Sequence, residues 1–360
     1  MPLNRSSAGK ILRELAAQLA AAATDRYWRT HPESASRWGP AGRHLTEQDF
    51  RNHCCLLAEA LDVNQPVLFA DYMKWVKALL ERRRVPWEVL AEGLECIRAE
   101  LATRVTSDVR ERVDRFLRGG QAAIAAAVEE LPSYLETGPC SRLVAGYMEA
   151  LLSGDRHRAM RMVLDAVERG TSIRDVYLHV FQPSQREIGR LWLINRVSVA
   201  QEHFCTASTQ LIMSQLYPRL SDSPRNGMRL VAACAGGDLH EMGVRMISDF
   251  FEMAGWDTFY LGANTPAAQI LRAVRDRNAH LLAVSVTLTQ HLSAAAGIVR
   301  ELRADERTCA VRLLVGGGPF NTVPDLWKAF GADAYAGDAA SAVETADRLF
   351  DLRAAGHGYG

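Results

Sequence analysis

Asp238 and His240, two residues apart and followed by Gly243, are residues whose types and spacing can do chemistry. An imidazole at a loop edge can ligate a metal held by a cofactor through one ring nitrogen. An aspartate two residues earlier can accept the other ring N–H, which fixes the tautomer and makes the ligating nitrogen more basic. Gly243 carries no side chain, so a bulky group can approach the helix that begins there. Two more groups share this logic: Ser285 with Thr287, and Gly316-Gly317-Gly318 before Pro319. Taken singly, an Asp-x-His pair usually starts a helix and a glycine triplet usually makes a turn. At equivalent ends of three strands they read as one site, with glycine backbone leaving a slot into the sheet.

A third constellation lies upstream. Trp192 is followed after nine residues by Glu202 and His203. Ser198 and Gln201 have capping-box spacing, so a helix is expected to start there with Glu202 and His203 in its first turns. A tryptophan, a carboxylate and an imidazole would then converge on one face.

The elements that must position these residues follow from periodicity. Up to about residue 220 the apolar residues recur at helical spacing, as in Leu90, Leu94, Ile97 and Leu101. Segments near 141–152, 155–169, 171–192 and 199–217 suggest a four-helix bundle. Ser221 to Gly227 is a linker by composition. Beyond it, apolar runs at 228–234, 258–261, 281–286, 311–315 and 334–336 alternate with helical stretches. That pattern predicts βαβ units and a five-stranded parallel sheet with a Rossmann or flavodoxin-like order, which binds ligands beyond the carboxyl ends of its strands. The expected domains are an all-helical N-terminal region (1–130), a helical bundle (138–220) and the α/β domain (228–360).

Composition narrows the function classes. Lys+Arg and Asp+Glu both number 42 among 360 residues. Residues 1–130 hold 19 basic and 18 acidic side chains, residues 131–227 hold 11 and 9, and residues 228–360 hold 12 and 15. No region is a polycation, which argues against direct DNA binding through a basic surface. The seven cysteines form no CxxC pair and are an odd number, so they read as reduced thiols of a cytoplasmic protein. The N-terminus reads as an amphipathic helix that includes Arg5 and Lys10, and no long apolar run is present to span a membrane. In residues 1–130, His44, His53, Cys54 and Cys55 match no closed metal-site spacing. The aromatic residues Trp28, Trp38, Trp75, Trp87, Tyr27 and Tyr72 there suggest a core or a partner interface.

The Asp238-x-His240-x-x-Gly243 motif, with Ser285 and Gly316-Gly317 at matching spacing, resembles the cobalamin-binding domain of methionine synthase and of the methylmalonyl-CoA mutase type. The resemblance implies that His240 is the lower cobalt ligand and Asp238 its partner. It further implies that Ser285, Thr287, Gly316 and Gly317 line a pocket for the cofactor's displaced nucleotide tail. One difference is that Thr287 stands where that family has Leu. The Trp192-x9-Glu202-His203 pattern resembles the helical cap of B12-dependent light-sensing regulators of the CarH type. In them the Trp covers the upper corrin face, and the Glu and His contact the adenosyl group. Here Leu193 replaces the His that follows the Trp in that family, and residues 1–130 show no winged-helix pattern.

The expected function is therefore a cobalamin sensor, using adenosylcobalamin as a photoreceptor, with methylcobalamin as another possible form. Its output would pass through a protein partner or self-association of the helical regions. The alternative is a corrinoid carrier of a methyltransferase system, which uses the same lower ligand and tail pocket.

Overall fold

A computed structural model describes residues 7–126, 132–135, 138, 140–220 and 224–352. Arg5, linker residues 221–223, and the ends of the expected domains at 127–130 and 353–360 lie outside the described residues. The chain divides into two units. The first takes residues up to 129 together with 288–296 and 318–331, and the second takes the remainder.

The first unit opens with α1 (Ser7–Thr30), α2 (Pro32–Asp62), α3 (Pro66–Arg82), α4 (Glu88–Ala102) and α5 (Ser107–Ala125). Each buries one apolar stripe: Leu12, Leu19 and Tyr27 on α1, Phe50, Leu57 and Leu61 on α2, and Val113, Phe116 and Leu117 on α5. Burying a side chain of this size contributes roughly 1.5–3 kcal/mol. Several buried charged groups inside this unit are partnered. The Lys77 ammonium donates to the carbonyls of Ile124 and Ala126 at 2.7 and 2.6 Å, closing the carboxyl end of α5. Glu59 accepts from the Ser293 backbone N–H at 2.9 Å and from the Arg13 guanidinium at 3.2 Å. Burial pushes the Glu59 carboxyl up, against the pull of Ser293 and Arg13. Of the N-terminal aromatic residues, Tyr27 and Trp28 are core, while Trp38 and Trp75 stand exposed. All seven cysteines are free thiols.

The second unit contains the bundle and the sheet. The bundle comprises α6 (Ser141–Leu152), α7 (Arg156–Glu168), α8 (Ile173–Val176), a turn of π-helix (Tyr177–Phe181), α9 (Gln182–Leu193) and α10 (Val199–Leu216). The π turn interrupts what sequence periodicity reads as one helix over 171–192. Pro183 lies just beyond it and has no N–H for the carbonyl one turn back, which favours the wider turn. The alternation then gives β1 (Arg229–Cys234), α11 (Met242–Met253), β2 (Asp257–Gly262), α12 (Ala267–Asp276), β3 (Leu281–Ser285), α13 (Leu292–Ala304), β4 (Arg312–Gly316), α14 (Gly318–Thr322), α15 (Leu326–Phe330), β5 (Ala334–Tyr335) and α16 (Ala339–Leu349). The short helices α14 and α15 belong to the first unit.

The strands are parallel in the order β2-β1-β3-β4-β5, the flavodoxin-like order expected from the sequence. β1 and β3 are apolar almost throughout because helices cover both of their faces. The register sets Cys234 level with Ser285, and Ser285 level with Gly316. Three strands therefore end flush, and the loops that follow them share one edge. A continuous apolar cluster joins the bundle to the sheet through Tyr147, Phe181, Met213, Leu216, Val244 and Phe250. Among the described residues, no helix is long and apolar enough to cross a membrane.

The first unit carries a titration signature. His53 is buried on α2, with Nδ1 3.0 Å from the Tyr72 hydroxyl. Burial pushes its imidazole down to about 4. Between pH 4 and the ordinary histidine value near 6.5, the unfolded chain binds this proton more readily than the folded one. His53 therefore contributes a stability that rises with pH across that window and is lost as pH falls through it. His53→Gln keeps a partner for Tyr72 and removes the titration. Denaturant unfolding at pH 6.5 and pH 4.5 should show the wild type losing about 2 kcal/mol more than the variant.

Candidate functional site

The loop after β1 is organised by one carboxylate. Asp238 is fully buried. Its Oδ1 accepts the His240 backbone N–H at 3.0 Å and pairs with His240 Nδ1 at 2.9 Å, while Oδ2 accepts the Thr287 backbone N–H at 2.6 Å. Burial pushes the Asp238 carboxyl up, but the bonds from His240 and Thr287 outweigh it and hold the group below its ordinary value. The same pair raises His240: the hydrogen bond to Asp238 leads, burial opposes it, and the charges of Asp238 and Glu202 add to it. The imidazole is thereby held as an Nδ1 donor and half exposed. Its Nε2 has no hydrogen-bond partner among the described residues. A single imidazole does not enclose a metal, so this arrangement suits one that arrives chelated in a cofactor. Beside it Leu239 is 71% exposed, and a Cβ at Gly243 would meet nothing within 4 Å. A bare apolar side chain and an open helix start next to a free ring nitrogen fit a broad, flat group lying on this loop.

The residues expected to line a slot serve partly as structure. A Cβ at Gly317 would stand 2.0 Å from the Val286 carbonyl oxygen, and Gly317 has φ +108. A Cβ at Gly316 would stand 2.7 Å from the Ala336 carbonyl oxygen. These glycines allow close backbone approach at the ends of β3 and β4, as well as keeping side chains out. Ser285 is buried at the same level. Thr287 acts through its backbone N–H on Asp238, and that role does not need the hydroxyl that sets it apart from Leu.

On the bundle, Ser198 and Gln201 form the expected capping box at the start of α10. Glu202 and His203 follow it and bond to each other, with His203 Nδ1 2.6 Å from Glu202 Oε2. Thr206 donates to the other Glu202 oxygen at 3.1 Å and to Gln185 on α9 at 3.0 Å. Gln185 also donates to Thr209 at 2.9 Å, so α9 and α10 are pinned side by side. Trp192 is half-buried near the end of α9. The charge of Glu202 adds the smallest of the influences that raise His240.

Two site residues went unread in the sequence. Asn264, at φ +47, accepts the Gly237 N–H through Oδ1 at 2.8 Å and donates its own N–H to the Asp238 carbonyl at 2.9 Å. Its signal was an asparagine between β2 and a proline, a position that tolerates left-handed backbone. Glu241, next to His240, accepts from Gln210 on α10 at 2.8 Å and from the Tyr260 hydroxyl and the Ala263 N–H at 3.0 Å each. No local pattern marks those partners.

The glycines separate by experiment. Gly317→Ala is expected to cost about 3 kcal/mol or more, from a clash with fixed backbone and a left-handed conformation. Gly243→Ala is expected to be neutral or stabilising by up to about 1 kcal/mol, because it lies in open space on a helix. Thermal unfolding of the two variants checks the contrast.

Known proteins are similar to parts of this chain. Residues 228–347 match a family model described as B12 binding domain, and residues 143–217 match a second model with the same description. The chain is 26% identical over 138 residues to dimethylamine corrinoid protein 3 of Methanosarcina mazei, covering 38% of this chain and 80% of that protein. It is 32% identical over 136 residues to the HTH-type transcriptional repressor CarA of Myxococcus xanthus, covering 38% of this chain and 44% of that protein. Its fold is similar to the structure of the Methanosarcina barkeri monomethylamine corrinoid protein, with TM-score 0.53, 17% identity, and coverage of 58% of this chain and 99% of that one. The likeness is thus to cobalamin-binding proteins broadly, not to light-sensing regulators specifically. Two segments of the chain match models of B12 binding domains, and cobalamin is its cofactor.

Proposed function

We propose that this protein is a corrinoid carrier, which holds cobalamin between bundle and sheet and presents it to a partner of a methyltransferase system. The observation that supports this most is the extent of the likeness to dimethylamine corrinoid protein 3, of which the matched part makes up 80%. Bound cobalamin supplies a cobalt that takes and gives a methyl group. The chain's own residues do the rest. His240 offers Nε2 as lower ligand, and Asp238 keeps the proton on Nδ1 so that this nitrogen stays a donor of its lone pair. The Thr287 N–H holds Asp238 in place. Ser285, Gly316 and Gly317 border the tail pocket, and Gly243 leaves the corrin clearance. Trp192, Glu202 and His203 would hold the group from the bundle side. The side chain of His203 is largely exposed, which leaves that side accessible to a partner protein.

A second reading, a photoreceptor using adenosylcobalamin, is favoured by the Trp192-x9-Glu202-His203 pattern and by the 32% identity to the repressor CarA. In it, loss of the adenosyl group would free Trp192, Glu202 and His203 and shift the bundle, because a ligand biases a conformation only through differential contacts.

One protein preparation separates the readings. His240→Ala is expected to bind cobalamin without the lower-ligand signature in its absorption spectrum. Loaded with methylcobalamin and mixed in the dark with a corrinoid-dependent methyltransferase and a thiol acceptor, a carrier releases its methyl group, and His240→Ala slows this at least tenfold. Loaded with adenosylcobalamin, a photoreceptor changes spectrum and elution volume on illumination. A methylcobalamin form inert in the dark beside a light-responsive adenosylcobalamin form would overturn the carrier reading.

A further inference from the structure

Two side chains on one face of α11, together with the residue that caps its start, meet the bundle in regular steps. Glu241 accepts from the Gln210 amide at 2.8 Å. Four residues on, Arg245 donates to the Ser214 hydroxyl at 2.8 Å. Four further on, Asp249 accepts from the Tyr177 hydroxyl at 2.6 Å. Gln210 and Ser214 are also four apart, so α10 and the start of α11 run as matched rows. Tyr177 reaches Asp249 from the π turn, a widened segment of a kind often found at functional sites. The first rung is the residue next to His240. Its second oxygen is fixed by Tyr260 and Ala263, and Gly262 at φ +77 keeps clear of it, since a Cβ there would lie 2.9 Å away.

We infer that Glu241, Arg245 and Asp249 form a polar seam that sets the bundle over the His240 loop, with Glu241 a positioning residue coupling that loop to α10. Glu241 cannot shift without moving either Gln210 or the end of β2. His240 cannot shift far without moving Glu241. The helix reached through Gln210 is the one that carries Glu202 and His203, eight and seven residues earlier. A displacement of the lower-ligand loop is thereby passed to the groups above the cofactor. The Gln210 and Ser214 bonds can exchange with water at little net cost, so that end of the seam can open and re-form while the buried Tyr177–Asp249 bond and the apolar cluster hold the unit together. The inference rests on the proposed role of His240 as lower ligand.

The test uses the full chain loaded with hydroxocobalamin and three variants. Gln210→Leu removes the first rung without touching any atom of the His240 loop. Glu241→Leu removes it from the other side. Glu241→Gln keeps it, because the Gln210 amide can turn to accept from the new amide. Two readouts are taken: hydrogen exchange of residues 199–216, and the fraction of cobalamin with a protein lower ligand in the absorption spectrum. Gln210→Leu and Glu241→Leu should speed exchange across 199–216 at least tenfold and lower the ligated fraction. Glu241→Gln should restore both. Unchanged exchange and spectrum in Gln210→Leu would overturn the seam, as would Glu241→Gln behaving like Glu241→Leu. Should Glu241→Leu fail to fold, Gln210→Leu alone decides. A wild-type spectrum identical to that of His240→Ala would sink the lower-ligand role instead, and the exchange measurement would still judge the seam.

Discussion

A carboxylate with no exposed surface persists in a protein only when its oxygens are met by donors, and at Asp238 those donors come from different places in the chain. His240 supplies a backbone and a ring N–H, and Thr287 supplies a backbone N–H from beyond β3. The sheet's parallel register brings the ends of β1 and β3 level, which is what lets one side chain reach both. Asn264 then ties the same loop to the end of β2. The orientation of the imidazole is therefore a property of three strands at once.

Charge follows from this arrangement. The Asp238 carboxylate and the His240 ring N–H stabilise one another, so the buried charge of Asp238 is met by a donor where an unmet one would be costly. Glu202 adds a second negative group from the bundle, linked to His203. The protein's overall neutrality thus coexists with two carboxylates, Asp238 and Glu202, each bonded to an imidazole. The even charge along the chain and the local pairing answer different questions: the first concerns partners such as DNA, the second chemistry.

Much of this was readable beforehand because it depends on local pattern. The strand–helix alternation, the Asp238-x-His240 pair and the capping box at Ser198 are all written in short windows. What escaped depends on pairing between distant segments. Glu241 is an ordinary acidic residue until Gln210, Tyr260 and Ala263 are brought to it. Thr287 was read through its side chain, yet its amide does the holding. Gly316 and Gly317 were read as space for a ligand, and the backbone of Val286 and Ala336 already presses on them. The π turn was hidden because its period differs from that of its neighbours by a single residue per turn. The assignment to light-sensing regulators rested on a short bundle pattern, whereas matches of similar length are found to corrinoid proteins and to the repressor CarA.

The flush ends of β1, β3 and β4 bear on how such a chain can change length. Side chains alternate faces along a strand, so inserting or deleting one residue within β3 would turn Ser285 to the opposite face and carry the Thr287 amide away from Asp238. Such an event destroys the site in one step, with no partial intermediate for selection to improve. The stretches 288–296 and 318–331, which lie after the strand ends, do not set that register, but they pack in the other unit through Leu292, Phe320 and Phe330 and through the Ser293 N–H on Glu59. A change of length compatible with the site is therefore confined to positions outside the strands and outside those packed stretches.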